Sequence, residues 1–206
     1  AKGRTEAQVT SFLRGFPGTE ADLVVRRPGE NKDVKIKLKR EEVIIPNVPH
    51  SGVVAKNIGY INLTVFTQDA ARNISEAFRD LKNKNPEMKG LILDLRENGG
   101  GLLNEAVEII NLFVPRGEVA VSMRGKVPEW DQVFKTMQTP VDTEMPVVIL
   151  VNKHSASASE VVSGGLQDLD RAVVMGQRTY GKGLVQNTRE LGYNARIKLT
   201  TAKYYT

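Results

Sequence analysis

The sequence predicts an α/β fold with a mainly parallel central sheet, on three observations. First, strand-like segments alternate with segments of helical periodicity between residues 58 and 169. Second, the segments at 90–95 and 146–151 are largely apolar, as expected of strands that are buried on both faces. Third, each of these two segments runs into a stretch of small or polar residues and then into a helical pattern, an order typical of β–α units.

The first 45 residues predict a separate piece of structure. TEAQ at 5–8 is a capping box that starts a short helix, and apolar residues at 23–25 and 34–38 predict a strand pair around a turn at 28–31. One helix and one hairpin cannot enclose a core in about 40 residues. We therefore expect residues 1–45 to be half of a domain, residues 41–51 to be a linker and residues 46–206 to be the main domain.

The main domain is predicted to contain the following elements. The strands are at 58–65, 90–95, 119–123, 146–151, 172–175, 184–189 and 196–205, and the helices are at 68–84, 103–113 and 157–169. In such a sheet the functional groups lie beyond the carboxyl ends of the parallel strands. The glycines at 99–101 and Ser157 both fall at such ends.

Composition excludes several classes of function. The 206 residues are 40% hydrophobic and 26% charged, and no apolar run is long enough to span a membrane. The polar start, AKGRT, does not resemble a signal peptide. The net charge of +5 comes partly from Lys35, Lys37 and Lys39, which alternate with apolar residues as on the solvated face of a strand, so nucleic-acid binding is not expected. Two separated histidines and no cysteine predict neither a metal site nor a cofactor.

A serine and a lysine carry the strongest chemical signal. HSASASE at 154–160 opens the last predicted helix with Ser157, and TYGKG at 179–183 presents Lys182 between two glycines. A helix start offers free N–H groups to an oxyanion, and a neutral lysine can take the proton of a serine nucleophile. Without chemistry, Ser157 and Glu160 would form an ordinary capping box and Lys182 would be a solvated turn residue. Ser155 and Ser159 compete for the nucleophile's role.

Other residues offer an alternative base, a support for Lys182 or a donor to the oxyanion. His50 and His154 are the possible alternative bases, but one lies in the proline-rich linker and the other just before the helix. Gln186 follows Lys182 by four residues, so in an extended segment it would share its face and could hold the lysine by a hydrogen bond. The plain alternative is an exposed glutamine. NGGG at 98–101 could bring a backbone N–H to a substrate carbonyl, or could simply form a flexible turn.

Three sequence blocks resemble those of the C-terminal processing peptidases, or tail-specific proteases. They are LDLRENGGGLL at 93–103, VNKHSASASE at 151–160 and GKGLVQ at 181–186. The resemblance implies a ClpP/crotonase-like protease core, with residues 1–45 as the second half of a PDZ domain. It also implies that Ser157 is the nucleophile, Lys182 the general base and Gln186 its support. The N–H of Ala158 and one glycine N–H would form the oxyanion hole; Gly100 is favoured, with Gly99 and Gly101 left open.

The same resemblance implies the activity. We expect a serine endopeptidase that cleaves protein or peptide substrates with apolar C-terminal tails, bound as an extended strand, with the PDZ domain as tail receptor or gate. It implies a protein exported to the periplasm or cell envelope, and a family domain that continues beyond residue 206. One rival is a peptide-binding scaffold that is inactive in this form. Another is an acyl-CoA-type α/β enzyme with the glycines as oxyanion hole, which would leave Lys182 unexplained.

Overall fold

The computed structural model describes residues 3–42 and 46–206. Contacts within the chain divide it into two units, Ala1–Ile45 and Pro46–Thr206. Residues 43–45 of the predicted linker lie outside the described residues. Each unit is described by itself below.

The first unit is a helix and a hairpin. Helix α1 (Glu6–Leu13) begins with the predicted capping box, because Thr5 and Gln8 each accept the other's backbone N–H. Strand β1 (Glu20–Arg26) pairs antiparallel with β2 (Asp33–Lys39). No described residue of this unit is buried, which agrees with the expectation that the piece is too small to enclose a core. Its assignment to a PDZ domain stays a prediction.

The second unit contains nine strands and three α-helices in its described residues. These are β3 (His50–Ala55), β4 (Ile58–Asn62), α2 (Ala70–Lys84), β5 (Gly90–Asp94), α3 (Leu103–Phe113), β6 (Val119–Gly125), β7 (Gln132–Lys135), β8 (Val147–Val151), α4 (Ala158–Asp168), β9 (Ala172–Gly176), β10 (Leu184–Glu190) and β11 (Arg196–Tyr205).

Five of these strands form the central sheet, in the order β3-β4-β5-β8-β9. All neighbours from β4 to β9 are parallel, and only the β3–β4 pair is antiparallel. The prediction of an α/β fold with mainly parallel central strands is therefore confirmed. Since the parallel strands end at the same edge, the loops that follow β5 and β8 are neighbours.

Helices and strands share one apolar core in this unit. Ile61, Leu93 and Ile149 of the central strands are fully buried, as are Phe113 of α3 and Leu166 of α4. This packing fixes α4, and hence its first residues, against the sheet. Burial of such side chains contributes about 1.5–3 kcal/mol each.

The remaining strands form a second sheet, in the order β10-β11-β6-β7, in which every pair is antiparallel. Two strands were not expected from the sequence: β7, and β3, whose residues 50 and 51 fall in the predicted linker. Strand β3 is an edge strand with exposed Val53 and Val54, so it lacks the alternation that marks a half-buried strand. Its partner β4 ends three residues earlier than predicted.

Candidate active site

Two loops at the carboxyl edge of the central sheet are joined by buried hydrogen bonds. The glycine loop (residues 95–101) follows β5, and the serine turn (residues 152–157) follows β8. The backbone oxygen of Asn98 accepts the N–H of Ala156 at 3.1 Å and the hydroxyl of Ser159 at 2.9 Å. The side-chain amide of Asn98 donates to the backbone oxygen of Leu63 at 2.8 Å. Asn98 is fully buried and therefore ties three segments together.

The three serines at the start of α4 differ in what their hydroxyls do. Ser155 and Ser159 are 0% exposed. The Ser155 hydroxyl donates to the backbone oxygen of Leu95 at 2.7 Å and accepts the N–H of Asn152 at 2.9 Å. Ser157 is partly exposed and lines a cavity of about 290 Å³. Of the three, Ser157 is the one whose environment admits a substrate.

The backbone of Ser157 has an unusual conformation. Its φ of 57° and ψ of −113° lie outside the regions that L-residues commonly occupy. Such a conformation costs on the order of 1–3 kcal/mol and must be held by its surroundings. One restraint is the Glu160 carboxylate, which accepts the N–H of Ser157 at 2.8 Å. Another is close packing, since a Cβ at Gly100 would lie only 2.9 Å from the Cβ of Ser157.

The predicted base lies on the same cavity as the predicted nucleophile. Lys182 belongs to the lysine loop (residues 177–183), which enters β10, and it lines the 290 Å³ cavity with Ser157, Val161 and Tyr204. The lysine side chain is exposed. Within residues 3–42 and 46–206, no hydrogen bond joins the Lys182 ammonium to Ser157. The structure thus brings Lys182 and Ser157 to one cavity without a hydrogen bond between their side chains.

The structure does not bring Gln186 into this cavity. Gln186 lies in β10, opposite Thr200 of β11, and is exposed. Lys182 precedes the strand, and a register shift separates Val185 from Gln186. The spacing of four residues therefore does not place Lys182 and Gln186 on the same face.

Neither histidine contributes to the cavity. His154 is exposed, and its backbone N–H donates to the side-chain oxygen of Asn152. His50 is exposed on β3, where its ring lies 5.8 Å from that of Tyr60.

The candidate oxyanion donors are not equivalent. The N–H of Gly100, the glycine that we favoured, donates to the side-chain oxygen of Asn98 at 2.9 Å. The N–H groups of Gly101 and Ala158 have no acceptor among the described residues. A Cβ on Gly100 would lie 2.9 Å from the Ala158 nitrogen, so the glycine loop directly contacts the start of α4. The N–H of Gly101 is therefore the more available of the two, whereas the contact with Ala158 is made at Gly100.

Asp94 and Glu160, which lie in two of the three sequence blocks, hold the loops of the site by hydrogen bonds. Asp94, at the end of β5, accepts hydrogen bonds from Tyr60 at 2.7 Å and from Arg96 at 2.6 Å. Burial alone would raise the pKa of Asp94, but these hydrogen bonds outweigh it and hold the pKa below its usual range. The same balance applies to Glu160, where burial is opposed by hydrogen bonds from Thr179 and three backbone N–H groups, and the pKa is again lowered.

The described part of the chain offers no cluster of histidine, aspartate and glutamate side chains suited to a metal ion. None of its helices is both long and apolar enough to cross a membrane.

Comparison with known proteins gives one consistent result. A sequence profile described as Peptidase family S41 matches residues 57–206. A carboxy-terminal-processing protease from Bartonella bacilliformis is 38% identical over 206 residues, which cover 99% of this chain and 47% of the relative. A "probable CtpA-like serine protease" from Staphylococcus aureus is 38% identical over 211 residues, which cover all of this chain and 40% of the relative. The chain thus spans less than half the length of these curated relatives.

The fold has a counterpart among solved structures. The structure of a photosystem II D1 C-terminal processing protease superimposes with a TM-score of 0.70 at 29% identity, over 99% of this chain and 55% of that one.

Proposed function

Because this chain belongs to peptidase family S41, we propose that it is part of a serine endopeptidase in which Ser157 is the nucleophile and Lys182 the general base. The observation that carries the proposal is the cavity at the carboxyl edge of the sheet, which Ser157 and Lys182 both line. The hydroxyls of Ser155 and Ser159 are buried and engaged with backbone oxygens, which supports Ser157 over its neighbours.

The proposed reaction is acyl transfer to water. Neutral Lys182 takes the proton of the Ser157 hydroxyl as its oxygen attacks the carbonyl carbon of the scissile peptide bond. The carbonyl oxygen becomes an oxyanion, which the N–H groups of Ala158 and the glycine loop stabilise. Protonated Lys182 then gives its proton to the leaving amine as the C–N bond breaks. Water hydrolyses the resulting serine ester by the same route in reverse.

This mechanism requires small rearrangements from the conformation described. The Lys182 ammonium must move from its exposed position to within about 2.6–3.2 Å of the Ser157 hydroxyl. Gln186 would support it there only if the start of β10 shifts at the same time. Within the glycine loop, the N–H of Gly101 has no acceptor among the described residues, whereas that of Gly100 would first have to release the side chain of Asn98.

The substrate class is also a proposal. The relatives carry names that refer to carboxy-terminal processing. We propose protein substrates with apolar C-terminal tails, since Val161 and Tyr204 give the cavity apolar walls. A PDZ domain containing residues 1–45 would receive the tail, and the protein would act in the periplasm or cell envelope.

The test compares two unstructured protein substrates that differ only in the last residues, apolar in one and acidic in the other. We expect the purified protein to cut the apolar-tailed substrate faster, and Ser157→Ala to cut neither, with fragments identified by mass spectrometry. Equal cleavage of both substrates would refute the tail preference. Equal cleavage by Ser157→Ala would refute the nucleophile.

The second candidate function is an inactive peptide-binding scaffold. The observation that favours it is that Lys182 and Ser157 share a cavity without a hydrogen bond between them. This scaffold function predicts that the apolar-tailed substrate binds to the protein and that no fragments form, even at alkaline pH. Fragment formation by the unmodified protein would exclude it.

A further inference from the structure

The Glu160 carboxylate has all four of its acceptor positions occupied. One oxygen accepts the N–H of Ser157 and the N–H of Lys182, each at 2.8 Å. The other accepts the hydroxyl of Thr179 and the N–H of Gly181, each at 2.7 Å. A carboxylate offers about four lone-pair positions, so this side chain is saturated by donors.

These four donors come from two different parts of the fold. Ser157 begins α4, which packs on the central sheet. Thr179, Gly181 and Lys182 belong to the lysine loop, which leads into the second sheet. A further link is the N–H of Tyr180, which donates to the backbone oxygen of Ser155 at 3.0 Å. Glu160 therefore accounts for most of the hydrogen bonds between the lysine loop and the start of α4.

We infer that Glu160 is a positioning residue, which holds the backbone of Lys182 at a fixed place on the cavity that Ser157 lines, so that the lysine side chain approaches the serine hydroxyl from a defined position. This inference rests on the proposed roles of Ser157 and Lys182. Glu160 itself contacts no reacting atom, because its oxygens face backbone N–H groups and the Thr179 hydroxyl.

The chemistry of the site calls for a carboxylate in particular. Three of the four donors are backbone N–H groups, which cannot be turned into acceptors. A glutamine in the same place would accept with its oxygen but would direct an N–H₂ group at one or more of these N–H groups. The position at the first turn of α4 further favours a negative charge. The lowered pKa of Glu160 agrees with a carboxylate that these donors stabilise.

The geometry also explains why a change at Glu160 should lower kcat rather than weaken the binding of substrate. Glu160 lines the same cavity as Val161 and Tyr204, but four donors of the protein already saturate its carboxylate, so it has no free acceptor position to offer a substrate. Displacement of the Lys182 backbone by about 1 Å would misalign the base and can cost on the order of 100-fold in rate.

The experiment compares Glu160→Gln with Thr179→Val, in which one hydroxyl donor is lost and the three N–H contacts to Glu160 remain. For Glu160→Gln we expect kcat to fall by about 100-fold with KM nearly unchanged. We also expect faster hydrogen exchange at the amides of Gly181 and Lys182, with an unchanged far-UV spectrum. For Thr179→Val we expect only a few-fold loss of kcat. Glu160→Ala should resemble Glu160→Gln or be worse.

Two results would overturn the inference. One is a Glu160→Gln variant with kcat within a few-fold of the unmodified protein. The other is a loss of kcat without faster exchange at Gly181 and Lys182, since the residue would then act by another route. Ser157→Ala and Lys182→Ala are measured alongside. If either still cleaves substrate, the proposed function fails, and the exchange data still decide whether Glu160 holds the loop.

Discussion

The two halves of the candidate site are held in different ways. The serine turn and the glycine loop are joined by buried hydrogen bonds around Asn98, and Ser155 and Ser159 are 0% exposed. The lysine loop and the first residues of β10 are largely exposed, and their link to the first half depends chiefly on one carboxylate, Glu160.

This difference separates two requirements of catalysis. The nucleophile and the oxyanion donors need a fixed geometry, which buried and fully satisfied hydrogen bonds provide. The base needs to approach and leave the nucleophile, which an exposed side chain on a loop permits. Substitutions that disturb the buried bonds or close contacts of the first half should therefore lower stability, and should lower activity as well where they displace Ser157 or the oxyanion donors. Substitutions in the second half should affect activity alone.

Removal of the proposed nucleophile should have the largest effect. We expect Ser157→Ala to lower kcat by roughly 10⁴- to 10⁶-fold, measured by initial rates on a chromogenic peptide. Ser155→Ala and Ser159→Ala are the controls. Each removes a buried hydroxyl together with its hydrogen bonds and should cost about 1–3 kcal/mol in the free energy of unfolding, yet the folded protein should retain much of its activity. An inactive, folded Ser159→Ala beside an active Ser157→Ala would reverse the assignment.

Removal of the proposed base should have the second-largest effect. We expect both Lys182→Ala and Lys182→Arg to be inactive without a change in the melting temperature, because a guanidinium stays protonated at any working pH. His154→Ala, at an exposed residue of the serine turn, should cost little. The activity of the unmodified protein should increase with pH, since only a neutral amine accepts the proton. A limb near about pH 6.5 would instead indicate a histidine.

An added methyl group in the glycine loop should lower both the stability of the protein and its kcat. In Gly100→Ala the new Cβ would lie 2.6 Å from the Ala156 oxygen and 2.9 Å from the Ala158 nitrogen, at a φ of 95°. These contacts are backbone atoms that cannot move aside, so we expect a loss of about 1–3 kcal/mol in stability and at least tenfold in kcat.

Gly99→Ala is the matched control for that change. A Cβ on Gly99 would meet nothing within 4 Å, and its φ lies outside the left-handed region. It should leave the melting temperature and kcat nearly unchanged. Equal effects of the two substitutions would show that the contact between Gly100 and the serine turn is unimportant.

The fold was largely predictable because its central strands carry local signals. The apolar runs at 90–95 and 146–151 and the capping box at Ser157 each depend on neighbouring residues, and the strands and the contact from Glu160 to the N–H of Ser157 are where they were expected. Strand β3 carries no such signal, because its identity depends on pairing with β4 rather than on its own pattern.

The sequence proposed candidate residues for the site but could not predict the contacts around them. Sequence blocks indicated Ser157 and Lys182, yet the further bonds of Glu160 join it to residues 19–22 positions away, a distance that no local pattern encodes. The same holds for Asn98, which a motif places beside three glycines and which the fold makes a buried link to Ala156 and Ser159. The side chain of Asn98 also occupies the N–H of the glycine that we first favoured as the donor.

The smallest expected effect is that of a substitution at Gln186, in the half of the site that contains the lysine loop and β10. Gln186 is exposed on β10, so Gln186→Ala should leave the melting temperature unchanged. If Gln186 holds Lys182 during turnover, the loss of one hydrogen bond should lower kcat by about tenfold with KM unchanged, since about 1.4 kcal/mol corresponds to that factor. Thr188→Ala, two residues further along the same strand and also exposed, should have no effect on either constant. A Gln186→Ala variant with full kcat would mean that Lys182 reaches Ser157 without this support and that β10 keeps its described conformation during catalysis.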